Sequence, residues 1–195
     1  NTATAEAIAT IRSTLDIPII GVEPGIKPAA MQSQNGIVGV LATEATLNSD
    51  KFNALLATLP EHCQFIKQAG AGLVPLIEAG LIETPEMQAL LRSHLKPIQD
   101  QGADTLVLGC THYPFLKKMI RVVVGDSMTL IDTSDAVVRQ LLRQMHQQGL
   151  IVSSKHSPKL SLLSTANADT LAAMAERLLH RDLSKYAIYT KTLTL

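Results

Sequence analysis

The sequence predicts an α/β protein whose parallel sheets are covered by helices, and three observations support this. Short apolar runs alternate regularly with amphipathic stretches along the chain, as in βαβ units. The run 104–108 is typical of a buried parallel strand, and Pro114 is suited to the first turn of a following helix. A chain of 195 residues with 46% hydrophobic residues can also bury a substantial core.

The alternation predicts each element in turn. The first helix is indicated by Ile8, Ile11 and Leu15 at helical spacing, and Thr43 can cap the helix that follows the second apolar run. The six apolar runs predict strands at 17–22, 36–42, 62–69, 104–109, 128–132 and 158–164. The intervening stretches predict helices at 3–14, 28–34, 43–59, 74–80, 85–101, 114–123, 135–148 and 168–180.

Two turn-rich segments predict the domain boundaries. The segment 23–28 contains two prolines and a glycine, and the segment 132–135 is entirely polar. They bracket a central block of ordinary domain size. We therefore expect residues 24–133 to form one lobe, and residues 1–23 together with 134–195 to form the other.

Composition excludes several classes of function. The 17 basic and 17 acidic residues balance, and aromatic residues make up only 3% of the chain, which disfavours a nucleic-acid partner. No apolar run approaches the roughly 20 residues that cross a bilayer, and no signal peptide is evident, so we expect a cytoplasmic protein without a membrane partner. No Cys and His spacing indicates a metal site, and no glycine-rich loop indicates a nucleotide cofactor.

The most informative segment is Gly109-Cys110-Thr111-His112-Tyr113-Pro114, which follows the predicted strand 104–109. A buried cysteine is usually an inert small hydrophobe. Cys110, however, lies where a strand ends and a helix begins, which is the ligand crevice of open α/β sheets. The helix amino terminus favours an anion there, so we expect a stabilised thiolate at Cys110 and a carboxylate-bearing substrate.

Other candidate residues are weighed against simpler roles. His112 is suited to act as an acid, a base or a hydrogen-bond partner of the thiol. Glu78 interrupts an apolar run and could equally lie on a solvated helix face. Thr43 and Thr46 follow the strand 36–42 and can face the same crevice, although helix capping alone would explain Thr43. Cys63 precedes a strand rather than following one, which favours packing over catalysis.

These residues resemble a family. Residues 109–116 resemble the second catalytic motif of bacterial glutamate racemases, and residues 39–46 and 73–78 resemble two further segments in the same order. The resemblance extends from the first residue to about residue 135. The related aspartate racemases usually carry an acidic residue where this chain has His112, so the motif favours the glutamate racemases.

The resemblance implies two pseudo-symmetric lobes and a cofactor-independent isomerase that interconverts L- and D-glutamate for peptidoglycan synthesis. Two cysteines flank the substrate Cα in that family, one removing a proton while the other delivers one. The resemblance implies that Cys110 acts on the face of the L-isomer, that His112 assists it, and that Glu78 is an auxiliary catalytic group. It assigns substrate contacts to Asn1, Thr2, Thr43 and Thr111, and it leaves a homodimer open.

One departure from the family pattern concerns the first catalytic cysteine. In the family it belongs to a Cys-Asn-Thr motif, and this chain opens with Asn1 and Thr2, which match the second and third residues of that motif. We therefore expect upstream residues to be missing, the first lobe to be incomplete, and racemisation by this chain to be impaired. Cys63 matches a different part of the pattern and does not replace the first cysteine.

Three alternatives remain open from the sequence. One is a related amino-acid racemase of the same family. Another is a cysteine hydrolase that uses Cys110 and His112, although a nucleophile and its base normally come from separate elements. The third is a non-catalytic module that binds a small acidic ligand.

Overall fold

The structure is a computed structural model, and it describes residues 2–151, 159–179, 183 and 187–193. The chain divides into two compact units, Asn1–Gln148 and Gly149–Leu195. The division into lobes 24–133 and 1–23 with 134–195 remains a prediction. The α/β class with parallel sheets flanked by helices is confirmed.

The first unit is built on a parallel sheet of four strands: β1 (Ile37–Ala42), β2 (Gln64–Ala69), β3 (Thr105–Leu108) and β4 (Thr129–Ile131). Their order in the sheet is β2-β1-β3-β4. The chain leaves β1 toward one edge of the sheet and returns on the other side of β1 as β3. This reversal is a topological switch point, where open α/β sheets bind ligands beyond the carboxyl ends of the strands.

Helices surround this sheet, and one of them begins as a tighter turn. The residues Tyr113–Leu116 form a 3₁₀ helix that leads directly into α7. The α-helices are α1 (Thr2–Thr14), α2 (Ile26–Gln32), α3 (Glu44–Asn48), α4 (Asp50–Leu56), α5 (Leu73–Glu78), α6 (Pro85–Asp100), α7 (Lys117–Val124) and α8 (Ser134–Gln147).

The central strand β1 explains the layered core, because successive side chains of a strand point to opposite faces. One face carries Val38 and Val40, which belong to a buried cluster with Ile26 and Ala29 of α2 and with Phe52 of α4. The other face carries Gly39, whose added Cβ would lie 2.4 Å from Cγ2 of Ile98 in α6. Helix α6 therefore packs close against the backbone of β1, and the sheet is covered on both faces.

The second unit contains a parallel pair of strands joined through a helix. Its elements are β5 (Lys159–Ser164), α9 (Ala168–Leu179) and β6 (Ala187–Thr192). The predicted strand 158–164 and helix 168–180 are confirmed over these ranges, while residues 158 and 180 lie outside the described residues. The sequence did not predict β6.

Two sequence predictions need correction. The segment 17–22 is not a strand, because its backbone bonds to α1: Arg12 Nη2 donates to the Ile19 carbonyl (3.1 Å), and the Val22 N–H donates to Thr4 Oγ1 (2.9 Å). The single helix predicted at 43–59 is divided into α3 and α4. Ser49 is extended at the junction and its Oγ accepts the Phe52 N–H (3.3 Å), so it starts a new helix.

Across the part of the chain that the structure describes, none of the helices is both long enough and apolar enough to cross a membrane.

Candidate functional site

The site begins at the carboxyl end of β3, where Gly109 leads into the Cys-Thr-His turn. The Gly109 N–H donates to the Leu41 carbonyl (2.8 Å), which continues the ladder between β1 and β3 beyond the strand itself. An added Cβ at Gly109 would lie 2.8 Å from Cβ of Ala42, so a larger residue would push the two strand ends apart. The glycine therefore holds Cys110 next to the end of β1.

Cys110 is buried, with 8% of its surface exposed, and burial raises the pKa of its thiol. The backbone N–H groups of His112 and Tyr113 act in the opposite direction and lower this pKa, but burial is the larger effect. This direction is opposite to the stabilised thiolate expected from the sequence, and it favours the protonated thiol in the resting site.

A chain of three side chains leads away from the thiol. Cys110 Sγ lies 4.0 Å from His112 Nδ1, and His112 Nε2 lies 2.5 Å from Glu78 Oε1. A carboxylate accepts a hydrogen from Nε2, which leaves the lone pair on Nδ1 facing the sulfur. His112 can therefore accept the thiol proton while Glu78 stabilises the resulting imidazolium.

A cavity of about 290 Å³ opens beside Cys110. This size is near the lower end of the range for small-molecule pockets. Its polar lining among the described residues consists of Cys110, Thr111, Asp132, Thr133 and Ser134. Its apolar lining consists of Val22, Leu108, Pro114, Val137 and Val138.

Asp132 is a cavity residue that sequence reasoning treated only as part of a boundary. Burial raises the pKa of its carboxyl, whereas hydrogen bonds from Lys117 and Ser134 and the charge of Lys117 lower it. Together these interactions outweigh burial and leave the pKa below its usual value, so the group is ionised at neutral pH. Its Oδ1 accepts the Ser134 N–H at 2.7 Å, at the start of α8. The sequence contained a signal for this residue, because Asp132 follows β4 just as Cys110 follows β3, and the carboxyl ends of parallel strands lie together.

The structure brings some of the predicted residues together and not others. Cys110, His112 and Glu78 form one connected group, and Thr111 lines the cavity with Cys110. Thr43 caps α3 at the end of β1, and continuing the register of β1 and β3 places it opposite Cys110. Its Oγ1 lies 2.9 Å from Oγ1 of Thr46, which is buried.

The remaining predictions concern the two ends of the sheet and the start of the chain. Asn1 lies outside the described residues, and Thr2 is the first residue of α1. Cys63 is half-buried and precedes β2, so it lies one strand length, about 20 Å, from the edge that carries Cys110. Among the described residues, no three His, Cys, Asp or Glu side chains gather into a group able to hold a metal ion.

A thiol, an imidazole and a carboxylate lie at the switch point of a parallel α/β sheet, which is an arrangement suited to acid–base chemistry on a small ligand. Comparison with known proteins identifies the family. The family model described as Asp/Glu/Hydantoin racemase matches residues 1–141, and the chain belongs to this family. The family resemblance predicted from the motifs is confirmed.

Within the family, the similar proteins are glutamate racemases. The chain is 52% identical over 180 residues to the glutamate racemase of Cupriavidus pinatubonensis and 51% identical over 180 residues to that of Ralstonia nicotianae. These alignments cover 92% of this chain but 66% and 64% of the two relatives, so the chain spans somewhat less than two thirds of their length.

Solved structures agree with this placement. A glutamate racemase isoform from Bacillus anthracis superimposes with a TM-score of 0.81 at 27% identity, covering 100% of this chain and 71% of that one. The Escherichia coli glutamate racemase, solved with L-glutamate and the activator UDP-MurNAc-Ala, superimposes with a TM-score of 0.80 at 28% identity, covering 97% of this chain and 70% of that one.

Proposed function

We propose that this chain carries the Cys110 side of a cofactor-independent glutamate racemase site, and that Cys110 exchanges the α-proton of L-glutamate. The observation that supports this most directly is the connected group Cys110, His112 and Glu78 beside the cavity. The similar proteins bear the name glutamate racemase, and the Escherichia coli relative was solved with L-glutamate bound.

The proposed chemistry starts from a protonated thiol. His112 accepts the Cys110 proton through Nδ1, and Glu78 stabilises the positive charge that forms on the ring. The thiolate then takes the proton from the substrate Cα, and electron density moves into the substrate carboxylate. Hydrogen-bond donors at the Cys-Thr-His turn, including the Thr111 hydroxyl, stabilise the carboxylate as that charge develops.

Inversion of the stereocentre requires a second acid on the opposite face of Cα. The 195 residues contain only two cysteines, and Cys63 lies at the opposite end of the strands from Cys110. We therefore expect this chain to exchange the α-proton of L-glutamate without converting it to D-glutamate. In the complete reaction, D-glutamate would supply peptidoglycan synthesis, and the free thiols favour a reducing compartment such as the cytoplasm.

The test follows deuterium at Cα. The chain is incubated with L- or D-glutamate in D₂O, the loss of the Cα proton is followed by NMR, and inversion is followed by circular dichroism. We expect exchange into L-glutamate by the unaltered chain and by Cys63→Ala, and none by Cys110→Ala. His112→Asn should slow exchange by about 100-fold, as expected for loss of an acid–base group.

Each other outcome identifies another function. Exchange that persists in Cys110→Ala contradicts the proposal. A burst of acyl-enzyme from a thioester that depends on Cys110, without exchange, indicates a hydrolase. Glutamate binding by calorimetry that survives Cys110→Ala, again without exchange, indicates a binding module. Exchange into a different amino acid alone indicates another racemase of the family.

A further inference from the structure

The buried hydroxyl of Tyr113 is a feature that the proposed chemistry does not use. Tyr113 directly follows His112, its side chain is fully buried, and its Oη donates to the Gly70 carbonyl at 3.2 Å. Burial raises the pKa of this hydroxyl far above its usual range, with the nearby Cys110 adding to the effect. The group is therefore a permanent donor and not an acid at any working pH.

The Gly70 carbonyl is the point where this donor meets the helix that carries Glu78. The same oxygen accepts the N–H of Leu73 (3.3 Å), the first residue of α5, and the Gly70 N–H donates to the Ala42 carbonyl at the end of β1 (3.0 Å). Helix α5 is only six residues long, and Glu78 is its last residue. A shift at Gly70 is therefore transmitted along less than two helical turns to the carboxylate that contacts His112.

The contact requires glycine at position 70. An added Cβ would lie 2.3 Å from Oη and 2.9 Å from Cζ of Tyr113. A ring buried on all sides has nowhere to move without displacing its neighbours. Substitution at Gly70 therefore disturbs the same contact from the opposite side.

A second side chain fixes the same loop from another helix. His94 Nε2, on α6, lies 2.8 Å from the Ala71 carbonyl, and Gln68 Nε2 lies 3.3 Å from His94 Nδ1. The two adjacent carbonyls of Gly70 and Ala71 are thus held by separate donors. Tyr113 joins this loop to the turn that carries Cys110 and His112.

We propose that Tyr113 is a positioning residue of the thiol site: its hydroxyl fixes the loop before α5, and so keeps Glu78 aligned on His112. The contacts form a ring. His112 contacts Glu78, Glu78 is connected to Gly70 through α5, and Gly70 contacts Tyr113, which is the residue after His112. The inference rests on the group of side chains used in the proposed function, but it concerns thiol activation and does not require glutamate.

The test measures alkylation of Cys110 by iodoacetamide between about pH 6 and pH 10. The 195-residue chain carries Cys63→Ser, so that one thiol reacts. Loss of the Tyr113 hydroxyl or of the Glu78 carboxylate should move the midpoint of the pH profile upward and lower the rate near neutral pH. We expect Tyr113→Phe to lower that rate by about two- to tenfold, the effect of one hydrogen bond.

A double-mutant cycle separates positioning from simple loosening of the fold. If Tyr113 acts through Glu78, Tyr113→Phe has no further effect in a Glu78→Gln background. Gly70→Ala should reproduce the upward shift, because its added Cβ would displace the Tyr113 ring and also meet Cδ1 of Leu73 at 2.8 Å; if Tyr113→Phe does not fold, this variant tests whether the loop before α5 aligns Glu78. Tyr189→Phe is the matched control, since Tyr189 lies on β6 with 60% of its surface exposed.

Two results would overturn the inference. Additive effects of Tyr113→Phe and Glu78→Gln would show that Tyr113 acts independently of the carboxylate. A lower melting temperature with an unchanged pH profile would show a structural role alone. Failure of glutamate exchange with a coupled alkylation profile would reject the proposed function while leaving Tyr113 as a positioning residue.

Discussion

At the scale of single residues, Cys110 combines burial with a nearby base. Burial raises the pKa of the thiol more than the two backbone N–H groups lower it. His112 Nδ1 lies 4.0 Å from the sulfur, a distance that a small approach on substrate binding would shorten into a hydrogen bond. Burial therefore favours a protonated thiol at rest, and the position of His112 allows the imidazole to accept the thiol proton.

This state predicts slow alkylation of Cys110 at neutral pH. The folded thiol has a raised pKa, so the thiolate fraction at pH 7 is below that of a free cysteine, and the midpoint of the alkylation profile lies above about 8.5. In urea the midpoint should fall toward the free value. The measurement is the rate of iodoacetamide labelling at Cys110 by mass spectrometry, and a folded-state midpoint below that in urea would contradict it.

At the scale of elements, the apolar pattern predicted β1 to β5, whose hydrogen bonds go to other strands, but it did not predict β6. The runs at 36–42, 62–69, 104–109 and 128–132 contain β1 to β4, and each of these strands pairs with a neighbouring strand. The run 17–22 is equally apolar, but its backbone bonds to side chains of α1. The spacing of apolar residues indicates which side chains are buried. It does not indicate which groups form hydrogen bonds with the backbone, and it therefore could not distinguish 17–22 from a strand.

The same limit applies to the site. Cys110, His112 and Thr111 share one turn, so sequence proximity was enough to group them. Glu78 meets His112 across 34 positions of sequence, and only the family resemblance gave Glu78 a role in the site. The contact of Tyr113 with Gly70 could not be predicted from the sequence, because its acceptor is a backbone carbonyl, which every residue carries.

Helix α6 gives a prediction at this scale, because it packs against β1 through Gly39. Gly39→Ala would place Cβ 2.4 Å from Cγ2 of Ile98, so the free energy of unfolding should fall by about 1–3 kcal/mol, as for other overpacked cores. Chemical denaturation measures the loss. Ile98→Val removes only Cδ1, whereas Ile98→Ala also removes Cγ2, so Ile98→Ala should suppress the effect of Gly39→Ala in a double-mutant cycle.

The same substitution has a control on the exposed side of α6. Ser93→Ala removes a hydroxyl that bonds only within the helix, to the Leu90 carbonyl at 2.8 Å, and should change stability by less than about 0.5 kcal/mol. Equal losses from Gly39→Ala and Ser93→Ala would show that close approach of α6 to β1 is not the cause.

At the scale of the first unit, two ionised carboxylates connect segments that are distant in sequence. Asp104, at the start of β3, accepts the N–H groups of Gln34 and Asn35 (2.7 and 2.8 Å) and the hydroxyl of Ser33 (2.6 Å). Asp132 pairs with Lys117 and accepts the Ser134 N–H, so it connects α7 to α8. Burial raises the pKa of each carboxyl, but the lowering by its hydrogen-bond and charge partners is larger in sum, so both pKa values lie below their usual value.

Acid should therefore destabilise this unit through these two groups. A carboxyl whose pKa is lower in the folded state contributes stability above its unfolded pKa, near 3.9, and the contribution is lost as the pH falls through the folded value. We expect the free energy of unfolding to fall below about pH 4. Asp104→Asn should remove part of that pH dependence and cost about 1 kcal/mol at pH 7, a modest loss because the site is partly exposed. Urea unfolding at a series of pH values measures both effects.

Asp126→Asn, at an exposed turn between α7 and β4, is the matched control and should leave the acid profile as it is in the unaltered chain. If Asp104→Asn and Asp126→Asn gave the same dependence of the free energy of unfolding on pH, the prediction would be wrong. The hydrogen bonds of Asp104 to residues 33–35 would then not contribute to the loss of stability in acid.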